Sequence, residues 1–186
     1  MKKPIGIFDS GIGGLTVAHA VKKLMPTQPI IYFGDTAHLP YGDKSATSLQ
    51  VYTIKTIDFL IEQGCEIILI ACNSASAAAY ELAKEYAASR AKVFDVIEPT
   101  VNYVCQNFEN QNLALIGTRQ TVNSLVYEEK IKEKDVNITL KSLATPLLAP
   151  MIEDGFFNNQ VSKSVLNEYL SNPKIQTIDA IILGCT

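Results

Sequence analysis

The chain has 186 residues, 47% of them hydrophobic, and a formal net charge of -3. That is enough apolar material for one large or two small cores, and the weakly acidic balance supplies no basic field for nucleic acid. No stretch approaches the length of a membrane span, and Met1-Lys2-Lys3 leads at once into a short strand instead of the apolar segment of a signal peptide. The four cysteines, at 65, 72, 105 and 185, form no CxxC pair, and the two histidines have no metal-ligand spacing to them. A cytoplasmic protein with reduced thiols, acting on small molecules and binding neither membrane nor nucleic acid, is the expectation.

In chain order, Pro4 to Phe8 is a short apolar strand ending on Asp9, and Ser10-Gly11-Ile12-Gly13-Gly14 turns into a helix that reaches Leu24. Such a turn offers backbone N–H groups and a helix N-terminus to an anion, phosphate or carboxylate. The dinucleotide fingerprint is matched imperfectly. Thr16 stands in the third glycine position, and Asp9 would set a carboxylate against a pyrophosphate, although Asp35 ends the second strand, Ile30 to Gly34, at a plausible distance. The loop that follows holds His38 and Pro40-Tyr41-Gly42, by local chemistry an ordinary surface turn. His19 and His38 are expected to be exposed or locally satisfied.

A helix from Ser45 to Gln63, closed by Gly64, precedes the apolar run Ile67 to Ala71, which delivers Cys72, Asn73 and Ser74 into an alanine-rich helix to Ser89. Asn73 and Ser74 are good caps for that helix, and a cysteine there has its thiolate favoured by the helix N-terminus, which lowers a thiol pKa from about 8.5. A strand at Val93 to Val96 follows. Beyond Pro99 the pattern restarts with a helix to Asn107, a strand at Leu113 to Ile116, the turn Gly117-Thr118-Arg119-Gln120-Thr121 and a helix to Lys132. A strand near Asn137 to Ser142, helices at Leu147 to Glu153 and Gln160 to Leu170, and the run Ile181-Ile182-Leu183-Gly184 into Cys185-Thr186 complete the chain. Strands alternating with helices predict a parallel α/β architecture, and unbroken aliphatic strands predict burial on both faces.

Two apolar strands thus end in a cysteine beside amide or hydroxyl chemistry, where ligands of open α/β sheets bind. Cys65 and Cys105 read as structural. Inverting a carbon centre needs an acid/base group on each face, and two thiols near pKa 8.5 fit that demand, one as thiolate and the other as thiol. Asp9 is placed to relay a proton at Cys72. Glu153, at a helix end where the dipole gives its charge nothing, is placed to serve the other side. Ser10, Asn73, Ser74, Thr118, Thr121 and Thr186 are neutral donors for a carboxylate substrate. An acyl transferase using one attacking thiol is the competing chemistry.

Taken together, Phe8-Asp9-Ser10-Gly11-Ile12-Gly13-Gly14, Pro40-Tyr41-Gly42, Ala71-Cys72-Asn73-Ser74-Ala75-Ser76 and Leu183-Gly184-Cys185-Thr186, with Glu98-Pro99 and the segment 150–155, resemble the bacterial glutamate racemase family over the whole chain. The resemblance implies two pseudo-symmetric α/β domains, 1–97 and 98–186, each a mainly parallel sheet flanked by helices, with the active site in the cleft between them. It implies cofactor-independent interconversion of L- and D-glutamate to supply D-glutamate for peptidoglycan, and a possible homodimer. Cys72 and Cys185 would be the paired acid/base residues, Asp9 and Glu153 their assistants. Ser10, Pro40, Tyr41, Gly42, Asn73, Ser74, Thr118, Thr121 and Thr186 would hold the substrate. Ser74 stands where the family more often has threonine. Family members continue past the Cys-Thr pair with a histidine and with helices that complete the first domain. A racemase for another acidic amino acid such as aspartate, or an inactive ligand- or protein-binding fragment, are the alternatives.

Overall fold

The computed structural model describes residues 2–186, and one or more helices separate each strand from the next. Two compact units divide the chain, one formed by the residues through Ile97 together with Thr186, the other by Glu98 to Cys185.

In the first unit, β1 (Ile5–Asp9), β2 (Ile30–Gly34), β3 (Ile67–Ile70) and β4 (Lys92–Asp95) form one parallel sheet in the order β2-β1-β3-β4. The crossovers are α1 (Leu15–Leu24), α2 (Ala46–Glu62) and α3 (Asn73–Ala87). Parallel strands need such crossovers, which carry the chain back so that every strand ends at the same edge of the sheet. That edge gathers Asp9, Asp35 and Asp95, all buried, with Ser10 and Cys72.

The alanine repeat of α3 explains its packing. Ala75, Ala79, Ala83 and Ala87 recur every fourth residue, lie on one face and are buried. Their small size lets α3 lie close to α2, whose Leu49, Ile57 and Leu60 join Phe8, Ile68, Ile70 and Val93 in the main core. On the opposite face of the sheet, Val17, Ala18 and Val21 of α1 pack against Ile5, Ile7 and Ala71. β3 nevertheless alternates, with Ile68 and Ile70 fully buried and Ile67 exposed, so its unbroken aliphatic run overstates its burial.

The second unit has α4 (Ile97–Asn107) at its start and a parallel sheet of β5 (Asn112–Gly117), β6 (Thr139–Ala144) and β7 (Ala180–Gly184) in the order β6-β5-β7. Pro99 lies inside the first turn of α4, where its missing N–H has no helical partner to lose. The single helix expected after Gly117 is two, α5 (Arg119–Asn123) and α6 (Val126–Glu133). Ser124 causes the break. Its hydroxyl donates to the Thr121 carbonyl at 2.7 Å and accepts from Val126 N–H at 3.4 Å, while Leu125 turns left-handed at φ 58°. Next come α7 (Leu148–Glu153) and α8 (Gln160–Leu170), the latter opened by a reciprocal cap between Asn159 and Ser162. β7 is covered on one face only: Ile182 is buried, whereas Leu183 is 70% exposed.

Candidate active site

Each unit carries its own set of candidate groups at the carboxyl ends of its strands. In the first, Cys72 is the N-cap of α3, and Asn73 and Ser74 are its first two helical residues, one position later than their capping chemistry suggested. All three are buried. The Cys72 thiol donates to Ser10 Oγ at 3.6 Å, which ties it to the turn after β1. In that same turn Asp9 Oδ2 accepts the Gly11 N–H at 2.9 Å. A carboxylate already takes one of the backbone donors that the glycine loop would have offered to a phosphate, which argues against the dinucleotide reading.

The glycines of the turn are required by close approach. A Cβ on Gly14 would lie 2.6 Å from the Asp9 Cβ and 3.0 Å from the Ala71 Cβ, so only glycine lets the helix start sit this near the ends of β1 and β3. Thr16, in the third glycine position, donates its hydroxyl to the Gly13 carbonyl at 2.9 Å.

Thr186 packs with the first unit and not with the strand that precedes it. Its hydroxyl donates to the Ala71 carbonyl at 2.6 Å and accepts from the Asn73 side-chain amide at 3.1 Å. Asn73 is thereby oriented by the hydrogen bond it donates to a residue 113 positions away in the chain.

The Pro40-Tyr41-Gly42 segment is not an ordinary surface turn. Tyr41 is 2% exposed, packs edge-on to Phe8 with ring centroids 6.2 Å apart, and donates its hydroxyl to Asp35 Oδ2 at 2.5 Å. Burial above all, then this bond to Asp35, pushes the Tyr41 phenol well above the ordinary tyrosine range, so it stays a donor. His38 Nδ1 lies 2.8 Å from Asp35 Oδ1, and its ring stacks on Tyr52 at 4.1 Å, a locally satisfied histidine as expected. Pro40 is exposed and Gly42 half-buried beside this anchor.

In the second unit Thr118 caps α5, its hydroxyl accepting from Thr121 N–H and donating to Thr121 Oγ1, both at 3.1 Å. Gly117 and Gly184 are paired in register across β5 and β7, and a Cβ on Gly117 would meet the Gly184 carbonyl at 2.7 Å. Thr118, the buried Thr121 and the exposed Cys185 thus gather at one end of that sheet. Glu153 is the last residue of α7, followed by Asp154 as C-cap and Gly155 at φ 76°, and it is exposed.

Burial pushes the Cys65 thiol up, and burial does the same to Cys105, in keeping with inert structural cysteines. Among the described residues no group of three or more His, Cys, Asp or Glu is placed to hold a metal ion, and no helix is long and apolar enough to cross a membrane. Two hydrogen-bonding residues of the first unit lie outside the candidate site set, Asp35 under Tyr41 and Tyr32 under the glycine turn. A carboxylate at the end of β2 beside one at the end of β1 was the available signal for the first, and local sequence held none for the second.

The chain folds as two parallel-sheet units, each with a cysteine and neutral donors after its strands, and a family model described as Asp/Glu/Hydantoin racemase matches residues 16–186. The chain belongs to this family. Within it the similarity is to glutamate racemases. Glutamate racemase 3 of Caldanaerobacter subterraneus subsp. tengcongensis is 39% identical over 183 residues, covering 98% of this chain and 65% of that protein. The glutamate racemase of Chlorobium phaeobacteroides is 39% identical over 185 residues, covering 100% of this chain and 68% of that protein. The crystal structure of glutamate racemase from Francisella tularensis in complex with D-glutamate superposes with a TM-score of 0.92 at 41% identity, over 99% of this chain and 68% of that one. The chain therefore spans about two thirds of the length of these relatives.

Proposed function

We propose that the protein is a cofactor-independent glutamate racemase that uses Cys72 and Cys185 as its two bases. The observation that carries this reading is the Cys72 thiol held on Ser10 Oγ, with the Asp9 carboxylate fixed in the same turn, at a strand end of a racemase-family fold. That the Francisella relative binds D-glutamate supports the choice of substrate.

The proton balance is simple. One cysteine, as thiolate, takes the α-proton from one face of glutamate and becomes a thiol. The other, as thiol, returns a proton to the opposite face and becomes the thiolate, so reversing the substrate reverses the roles. The carbanion formed between the two steps carries its charge into the α-carboxylate, which needs donors where that charge develops. Ser10, Asn73, Ser74 and the backbone of Tyr41 and Gly42 supply them from the first unit and Thr118 and Thr121 from the second, with Thr186 orienting Asn73. Asp9 exchanges the proton of Cys72, and Glu153 does so for Cys185. D-Glutamate made in this way serves peptidoglycan synthesis.

In the full-length protein, Cys72→Ala and Cys185→Ala are each expected to lower racemisation of glutamate, followed by polarimetry, by at least about 10³-fold, the upper part of the range for a lost acid/base group. Unimpaired turnover by either variant refutes the two-base reading.

A further inference from the structure

Tyr32, in the middle of β2, belongs to no motif singled out above, yet it is the residue on which the Cys72 turn rests. Its hydroxyl donates to the Gly11 carbonyl at 2.9 Å. Gly11 is therefore held at both ends of its backbone, its N–H by Asp9 Oδ2 at 2.9 Å and its carbonyl by Tyr32. The adjoining part of β2 reinforces the grip. Asp35 N–H donates to the Asp9 carbonyl at 2.9 Å, and Gly34 sits so near the turn that a Cβ there would lie 2.5 Å from the Gly11 carbonyl oxygen. Between these anchors lies Ser10, the acceptor of the Cys72 thiol at 3.6 Å.

We propose that Tyr32 is a positioning residue for Cys72, acting through Gly11 to fix both the Ser10 hydroxyl and the Asp9 carboxylate against the thiol. Its ring is part-buried against Ile5, Ile7 and Ala71, and its hydroxyl reaches the Asp9 carboxylate as well as the Gly11 carbonyl. Burial first, then the nearby charges of Asp9 and Cys72, hold the phenol well above its ordinary range, and it remains a donor throughout the working pH range. Without that donor, the Gly11 carbonyl and the Asp9 carboxylate are left as two less-compensated negative groups beside the sulfur, and the thiolate is disfavoured.

This inference rests on the racemase reading for its kinetic arm and is independent of it for its chemical arm. In the full-length protein, Tyr32→Phe keeps the ring and removes only the hydroxyl. The expected kinetic result is a kcat for glutamate at least about tenfold lower with KM within about threefold, since the lost hydroxyl orients an acid/base group and not the substrate. The chemical arm follows alkylation of Cys72 by iodoacetamide against pH, by peptide mass spectrometry, with Cys185 replaced by serine. Tyr32→Phe is expected to move the midpoint to higher pH by about half a unit or more. Tyr32→Met, which fills the space with a flexible apolar chain, must move it the same way. A kcat within twofold of wild type, or a lowered kcat with an unmoved alkylation profile, overturns the proposal. Failure of the unmodified protein to turn over glutamate removes the racemase reading, while the alkylation profiles still decide the role of Tyr32.

Discussion

Gly14 sets a tight local constraint on the Cys72 region. Its φ of -61° and ψ of -10° suit any residue, and alanine would ordinarily favour the start of a helix, so conformation does not demand glycine there. Space does. The two nearest obstacles to a Cβ are the Cβ atoms of Asp9 and Ala71, and neither can rotate away. Gly14→Ala is therefore expected to destabilise the protein by about 1–3 kcal/mol, the usual cost of overpacking, measured by urea denaturation. It should also displace Asp9 from Gly11. Unchanged or increased stability would mean that the turn gives way more easily than its contacts indicate. At this scale much was legible in the chain: the glycine run, the aspartate before it and Cys72 after its apolar strand all stand where their chemistry suggested. Tyr41 was not, because Pro-Tyr-Gly is turn chemistry locally, and only the approach of Asp35 and Phe8 makes its side chain a buried anchor.

Between elements, α4 and α6 of the second unit are joined by Glu98, which accepts from Lys130 Nζ at 2.8 Å and from Lys134 Nζ at 3.2 Å. The bond from Lys130 is the chief cause that holds the Glu98 carboxyl below its ordinary range, with Lys134 adding to it against a modest burial cost. A carboxylate with a lowered folded-state pKa stabilises fully above its unfolded value, and that contribution disappears as pH falls through the folded value. Glu98→Gln should thus cost at most about 1 kcal/mol at pH 7, given the partial exposure of the group, and a shrinking amount as acidification protonates the folded-state carboxylate. Melting temperatures of both proteins followed from neutral to acid pH check this, and a deficit that does not shrink on acidification would deny the ion pair its role. Elements themselves were readable because amphipathic periods and glycine or proline punctuation are local signals. The split between α5 and α6 was hidden because one serine side chain, bonding to the backbone on either side of Leu125, decides it.

For the molecule as a whole, the alternation of strand and helix conveyed the parallel α/β class, and the two cysteine-ending strands marked the sheet edges on which the proposed site is built. Burial was overestimated for β3 and β7, since an aliphatic run does not reveal whether both faces of its strand are covered. Nor could spacing reveal that Thr186 hydrogen-bonds to Ala71 and Asn73, more than a hundred residues away, because such a pairing exists only once the strands are assembled. The proposed mechanism demands one acid/base group on each face of the substrate, and proton exchange at the substrate Cα reports on it directly. The measurement is loss of the α-proton signal of L-glutamate and, separately, of D-glutamate in deuterium oxide, followed by proton NMR with the full-length protein and its Cys72→Ala and Cys185→Ala variants. Exchange of both enantiomers by the unmodified protein, with exchange of at least one enantiomer lost in each variant, is the expected result. Exchange of neither enantiomer by a folded unmodified protein, or undiminished exchange of both after loss of one cysteine, would contradict the two-base assignment.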